Sequence, residues 1–86
     1  MIDGARVLRE FKRNGEDTLR VSLSTFKGRT FVDIRLFYQD AKSELRPTKK
    51  GVTVTPELWD EFRAGVTAVE AALQGAGLWY PPGGAG

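Results

Sequence analysis

From Leu19 to Val54 apolar and polar positions follow an alternating pattern with a period close to two, the mark of half-buried strands. The first strand spans Arg6–Arg13, with Val7, Leu8 and Phe11 as its apolar content. Asn14-Gly15-Glu16-Asp17 then makes a turn, because Asn and Gly tolerate the positive φ of a tight hairpin. The second strand, Thr18–Thr25, turns Leu19, Val21 and Leu23 one way and Arg20, Ser22 and Ser24 the other. Lys27-Gly28-Arg29 reverses the chain into Thr30–Gln39. That strand sets Val32, Ile34 and Leu36 against Phe31, Asp33, Arg35 and Phe37. Asp40-Ala41-Lys42-Ser43 is a polar connection, and Glu44–Lys49 a fourth strand whose Pro47 suits an edge.

Beyond residue 54 the period lengthens. Thr55 suits a helix N-cap, and Pro56 the first helical position, where a missing N–H costs nothing. Glu57, Asp60 and Glu61 bring negative charge to the helix N-terminus, where the macrodipole favours it. Leu58, Phe62, Val66, Val69 and Leu73 recur at helical spacing as one stripe, widened by Trp59, until Gly75 and Gly77 stop the helix. Residues 1–5 read as a loosely held lead-in. Residues 75–86, rich in Gly and Pro and holding the cluster Leu78-Trp79-Tyr80, read as a mobile tail.

Antiparallel strands followed by one amphipathic helix define an α+β domain over residues 1–74, with 75–86 as its tail. One helix covers one sheet face. The helix stripe is wide for a single partner, so a homodimer that pairs helices about a two-fold axis would bury the excess. The other sheet face is left to carry the Arg, Lys and aromatic side chains.

Composition narrows the chemistry. With 86 residues the core is small. Thirteen Lys and Arg against eleven Asp and Glu leave a net charge of only +2, so any electrostatic argument rests on where the charges lie. There is no Cys and no His, which excludes disulfides, thiol nucleophiles, Cys/His zinc sites and imidazole catalysis. No apolar run reaches the ~20 residues of a membrane span, and residues 1–6 lack a signal's apolar core. The expectation is a soluble intracellular protein without a membrane role. Asp33, Asp40 and Glu44 could be imagined as a metal-holding set, but nothing in the spacing places them together. Neither a cofactor nor a metal nor enzymatic activity is expected.

The interleaving of rings and cations along Leu19–Val54 suits unpaired nucleic acid: cations follow phosphates while rings stack on any base. Four linked segments carry a resemblance: Phe26-Lys27-Gly28-Arg29, Val32-Asp33-Ile34-Arg35, Arg46-Pro47-Thr48-Lys49-Lys50-Gly51-Val52 and Thr55-Pro56-Glu57. Over roughly Arg13 to Val69 the chain resembles the transcriptional coactivator family called positive cofactor four. The resemblance implies a twisted four-stranded antiparallel sheet, a C-terminal helix, a homodimer through the helices, and sequence-nonspecific binding of single-stranded DNA. It places Phe26 at a stacking position, Lys27 on a DNA-contacting lysine, Arg29 on a further basic position, and Arg35 on a strand arginine facing the DNA. Tyr38 falls where the best-known members have tryptophan, and Arg46, Lys49 and Lys50 lie on a basic segment. Leu58, Trp59, Phe62, Val66 and Val69 fall to the dimer interface.

The family's long Ser-rich and Lys-rich arm has no counterpart in this sequence, and the Trp79-containing tail none in the family. This suggests a compact, prokaryotic-like or phage-like member. The function expected is single-stranded DNA binding in support of transcription, replication or repair, with the corresponding machinery as partner. The setting would be a prokaryotic nucleoid, or a nucleus if the source is eukaryotic. Two alternatives stay open: RNA binding on the same scaffold, and a protein-interaction adaptor using the helix dimer and the tail.

Overall fold

The computed structural model describes residues 4–83. Four strands come first: β1 (Gly4–Lys12), β2 (Asp17–Phe26), β3 (Arg29–Gln39) and β4 (Leu45–Val54). A 3-10 turn over Pro56–Leu58 leads into α1 (Trp59–Gly75). The strands form one antiparallel sheet in the order β1-β2-β3-β4, so each pairs with its sequence neighbour. The residues up to Pro56 and those from Glu57 onward form two compact units. No helix among the described residues is long and apolar enough to cross a membrane.

The central hairpin fixes the register. Lys27 and Gly28 take φ of 52° and 75°, the pair of positive values that a two-residue type I′ turn requires. From there β2 and β3 pair without interruption, from Phe26 opposite Arg29 to Asp17 opposite Tyr38. Leu19, Val21 and Leu23 oppose Leu36, Ile34 and Val32, forming an apolar face. Arg20, Ser22 and Ser24 oppose Arg35, Asp33 and Phe31, forming a polar one. The alternation expected of these two strands is borne out.

The outer strands depart from it. In β1, Leu8 is an extra residue between Val7, opposite Ser22, and Arg9, opposite Val21. This bulge reverses the alternation, putting Val7 on the polar face and Arg9 and Phe11 on the apolar one. β1 also begins earlier than expected, at Gly4, so the lead-in assigned to residues 1–5 contributes Gly4 and Ala5 to the sheet. Its first three residues lie outside those described. β4 runs to Val54 rather than ending at Lys49. Between Gly51 opposite Arg35 and Pro47 opposite Phe37, three β4 residues face Leu36 alone. Thr48 Oγ1 donates to the Leu36 carbonyl at 2.8 Å and accepts from the Lys50 N–H at 3.0 Å, so a side chain holds the strand where the ladder is interrupted.

The turn after β1 works differently from the expectation. Gly15 is not among the positive-φ glycines; instead Asn14 Oδ1 accepts the N–H groups of Glu16 and Asp17 at 3.0 and 2.9 Å, an Asx-type turn. The loop between β3 and β4 is organised the same way. Asp40 Oδ1 accepts from the N–H groups of Lys42 and Glu44 at 2.8 and 3.0 Å, while Oδ2 accepts from Arg46 Nε at 2.9 Å.

Pro56, at the end of the first unit, opens a 3-10 turn, and in the second unit the α-helix has Leu58 at its N-cap, with no side-chain cap bond. Thr55 therefore precedes the helix without capping it. Asp60 and Glu61 stand in the first turn of α1, as expected. At the other end Gly75 is still helical. Gly77 takes φ 71°, with its N–H on Gln74 O at 3.0 Å and the Leu78 N–H on Leu73 O at 2.9 Å. This is a Schellman stop.

The Arg46 guanidinium beside Asp40, followed by the Glu44 backbone bond, holds the Asp40 carboxyl below its ordinary value of 3.8. A depressed folded-state pKa contributes stability above 3.8 that is lost as pH falls through the folded value. Thermal melts of the wild type and Asp40→Asn should differ most at neutral pH, with the gap closing as pH drops below 3.8. A gap independent of pH would mean that the ion pair contributes nothing.

Candidate nucleic-acid interface

The polar face of β2 and β3 brings Phe26, Arg29, Phe31, Arg35 and Phe37 together with Arg20, because residues paired across the ladder share a face. Arg20 and Arg35 are directly opposed, an arrangement that destabilises a sheet unless the charge is offset. Each has its own carboxylate. Arg20 Nε donates to Glu10 Oε1 at 2.7 Å, and Arg35 Nε to Asp33 Oδ1 and Oδ2 at 3.1 and 3.2 Å.

Both guanidinium groups are held further. Arg20 Cζ lies 4.1 Å from the Phe37 ring centroid, within reach of a cation–π interaction. A nitrogen at the end of Arg35 donates to the Thr48 carbonyl at 3.0 Å. Gly51 makes that pose possible: a Cβ there would sit 2.8 Å from the Ile34 oxygen and 2.9 Å from Arg35 Cζ. The face is closely filled, with Ser24 at 1%, Ser22 at 5% and Asp33 at 6% exposure. Among the described residues no buried side-chain nitrogen or oxygen lacks a hydrogen bond.

The β2–β3 turn supplies the end of this face. Phe26 is half-buried, and Lys27 Nζ stands 5.2 Å from its ring centroid. Arg29 is exposed opposite Phe26. From this turn to the far end of β3 the strand covers about 30 Å, at roughly 3.3 Å per residue.

The residues expected to form one groove are thus distributed over two faces. Phe26, Arg29 and Arg35 share the polar face. Tyr38 is 45% exposed, but it alternates to the side of Leu36 and pairs with Arg46. Arg46 itself is engaged by Asp40 and by Glu44, at 2.9 and 3.3 Å. Lys49 and Lys50 are exposed on the β4 irregularity. The carboxylates weighed as a metal set are separated, Asp33 serving Arg35 while Asp40 and Glu44 serve Arg46. Arg20 and Phe37, not among the expected site residues, share the polar face with Arg35. The available signal was parity, since both alternate with the same polar positions as Arg35.

Comparison with known proteins points one way. The sequence model of the family Transcriptional Coactivator p15 (PC4) matches residues 13–65. The chain is 40% identical over 58 residues to the RNA polymerase II transcriptional coactivator KELP of Arabidopsis thaliana, covering 67% of this chain and 34% of that one. To the coactivator SUB1 of Saccharomyces cerevisiae it is 34% identical over 63 residues, covering 72% and 22%. It therefore spans about a third or less of these relatives.

Among solved structures, a PC4 homologue from Burkholderia pseudomallei superposes with a TM-score of 0.70 at 24% identity, covering 77% of this chain and 97% of that one. A bacteriophage T5 homologue of PC4, implicated in recombination-dependent DNA replication, gives 0.59 at 21% identity, with 81% of each chain covered. Both share the fold.

Gly51→Ala should destabilise the sheet by about 1–3 kcal/mol, because the added methyl meets backbone and the core of a held guanidinium. In a domain of this size that is a fall in Tm of roughly 4–24 °C. An unchanged Tm would show that Arg35 can leave its place at no cost.

Proposed function

The chain belongs to the Transcriptional Coactivator p15 (PC4) family, and from that premise we propose that it binds single-stranded DNA without sequence preference, as a homodimer, in support of transcription, replication or repair. The observation that carries this reading is the polar face itself. Arg20, Arg35, Phe26 and Phe37 share one side of β2 and β3, with Lys27 and Arg29 at its turn.

Bases of an unpaired strand expose faces that can stack on rings, and phosphates follow cations beside them. Duplex hides those faces. In this reading Phe26 stacks on a base, and Lys27 and Arg29 meet phosphates. Arg35 provides a fixed planar cation between them, and Lys49 and Lys50 extend the phosphate track along β4. Tyr38 and Arg46 serve a strand that passes round the end of the sheet.

The homodimer is supported by apolar surface that one chain leaves open. On the helix Leu58, Val66 and Val69 are 59%, 43% and 56% exposed. Trp59 and Phe62, with ring centroids 5.5 Å apart, are half-buried on the same element. On the sheet Leu19, Val21, Leu23, Val32 and Ile34 are only half-buried. A second copy pairing through α1 would remove the exposed helix stripe from water, at about 25 cal/mol per Å². Val66→Glu with Val69→Glu should convert a dimer to a monomer in light scattering coupled to size exclusion. A wild type that is already monomeric at high concentration would overturn the dimer.

Fluorescence anisotropy with a labelled strand and its duplex, across a salt series, tests the activity. Single strands should bind much more tightly than duplex and weaken with salt. Phe26→Ala should cost about 1–3 kcal/mol with little change in salt slope, since stacking releases no counterions. Lys27→Ala should lower both affinity and slope. Equal, feeble binding of strand and duplex would defeat the proposal.

A further inference from the structure

The apolar surface of the second unit does not stop where α1 stops. In the Schellman stop the Leu78 N–H reaches back to the Leu73 carbonyl at 2.9 Å, a bond that commonly brings the two side chains into contact. Leu73 is the last residue of the helix stripe, so Leu78 carries that stripe past the helix end. Trp79 follows, half-buried. Tyr80 turns back until its hydroxyl stands 3.8 Å from the place a Cβ on Gly77 would take. Yet Leu78 and Tyr80 are 74% and 68% exposed, the most open large apolar side chains among the described residues. A contiguous apolar patch held open to water marks a contact surface.

The charges of the helix say what covers it. Glu57, Asp60 and Glu61 stand at its N-terminal end, and its last turn holds no basic residue. Two such helices side by side in parallel would gather six carboxylates at one end; antiparallel pairing keeps the two sets apart. Arg63 and Glu70 lie three residues before and four after Val66, on one flank of the stripe. Antiparallel pairing therefore also brings each Arg63 level with Glu70 of the partner subunit. Val66 is the midpoint of the stripe, seven residues from Trp59 and seven from Leu73, with about 10 Å of helix on either side. Crossing there buries the stripe along its whole length and lays Leu73, with Leu78 beside it, against Leu58 of the partner subunit. We propose that Leu78-Trp79-Tyr80 is an arm that docks on a second copy of this chain, over Leu58 and the start of α1. The inference rests on the helix-paired dimer and adds the tail to its interface.

The test uses the absence of cysteine from the chain. Leu58→Cys and Leu78→Cys chains are made separately, mixed under reducing conditions so that copies exchange, then oxidised and run on a non-reducing gel. In the antiparallel dimer the two copies of residue 58 stand about 24 Å apart, well beyond the roughly 6 Å between Cα atoms that a disulfide spans. The mixture should form the linked dimer and neither chain alone should. In the full chain, Leu78→Ala with Tyr80→Ala should weaken the dimer by about tenfold or more, the scale of one large apolar side chain buried. Light scattering down a dilution series reads that change.

A link formed by the Leu78→Cys chain alone would mean parallel helices, and no link in the mixture would mean that the arm packs on its own chain. Either result overturns the arm, as does a dimer that Leu78→Ala with Tyr80→Ala leaves at full strength, while a dimeric wild type keeps the helix pairing. A wild type that is monomeric at high concentration overturns the pairing and the arm together.

Discussion

Two arginines facing each other across an antiparallel ladder are a constraint that much of this sheet answers. Arg20 and Arg35 meet at a paired position, and left alone they would repel. Glu10 comes from β1 to one, and Asp33 from within β3 to the other. β4 contributes the Thr48 carbonyl, and a glycine at 51 so that the guanidinium can lie across its backbone. All four strands thus take part in neutralising one pair of charges. The result is a face of fixed, planar cations, with one of them over a ring. Such a surface has already met much of the ordering entropy that binding otherwise costs.

The same economy is absent from the apolar surfaces. A sheet of four strands with one helix is small, and small domains bury a limited share of their surface. Among the described residues Leu36 and Val54 are the buried apolar ones, while the polar face encloses Ser24 almost completely. Interior and surface are partly exchanged: the polar side is sealed by its own ion pairs, and the apolar side remains half open. The proposed second copy would take the exposed apolar stripe of the helix out of water.

Much of the architecture was legible in the sequence because β2 and β3 obey a period of two and meet at a turn with Gly28. Parity there assigns every side chain to a face. The outer strands were harder for a physical reason. The extra Leu8 in β1 reverses parity without changing composition, and nothing in the local sequence distinguishes it from an ordinary strand residue. β4 absorbs its irregularity through the Thr48 hydroxyl, so the strand continues past Lys49 and Lys50, where the sequence shows only a charged break. Thr55 has the chemistry of a cap, but the 3-10 turn at Pro56 displaces the helix start to Trp59. At the candidate site the expected residues divide between the two faces of the sheet. Tyr38 is one residue from Phe37, and one residue is a change of face.

Cations on this sheet also divide by chemistry. Arg13, Arg20, Arg35 and Arg46 all sit in ion pairs with carboxylates of the same chain. Among the described residues Arg29, Lys49 and Lys50 appear in none of those pairs. A phosphate approaching a paired arginine must compete with a carboxylate already in place, and displacing it exposes that negative charge to the strand. The unpaired cations carry no such cost. In the proposed binding mode the arginines of the polar face would act mainly as rigid planes that orient bases, while the cations at the turn and along β4 would carry counterion release. A net charge of only +2 is then compatible with nucleic-acid binding, because Glu10, Asp17, Asp33, Asp40 and Glu44 are each paired with an arginine rather than left open beside the track.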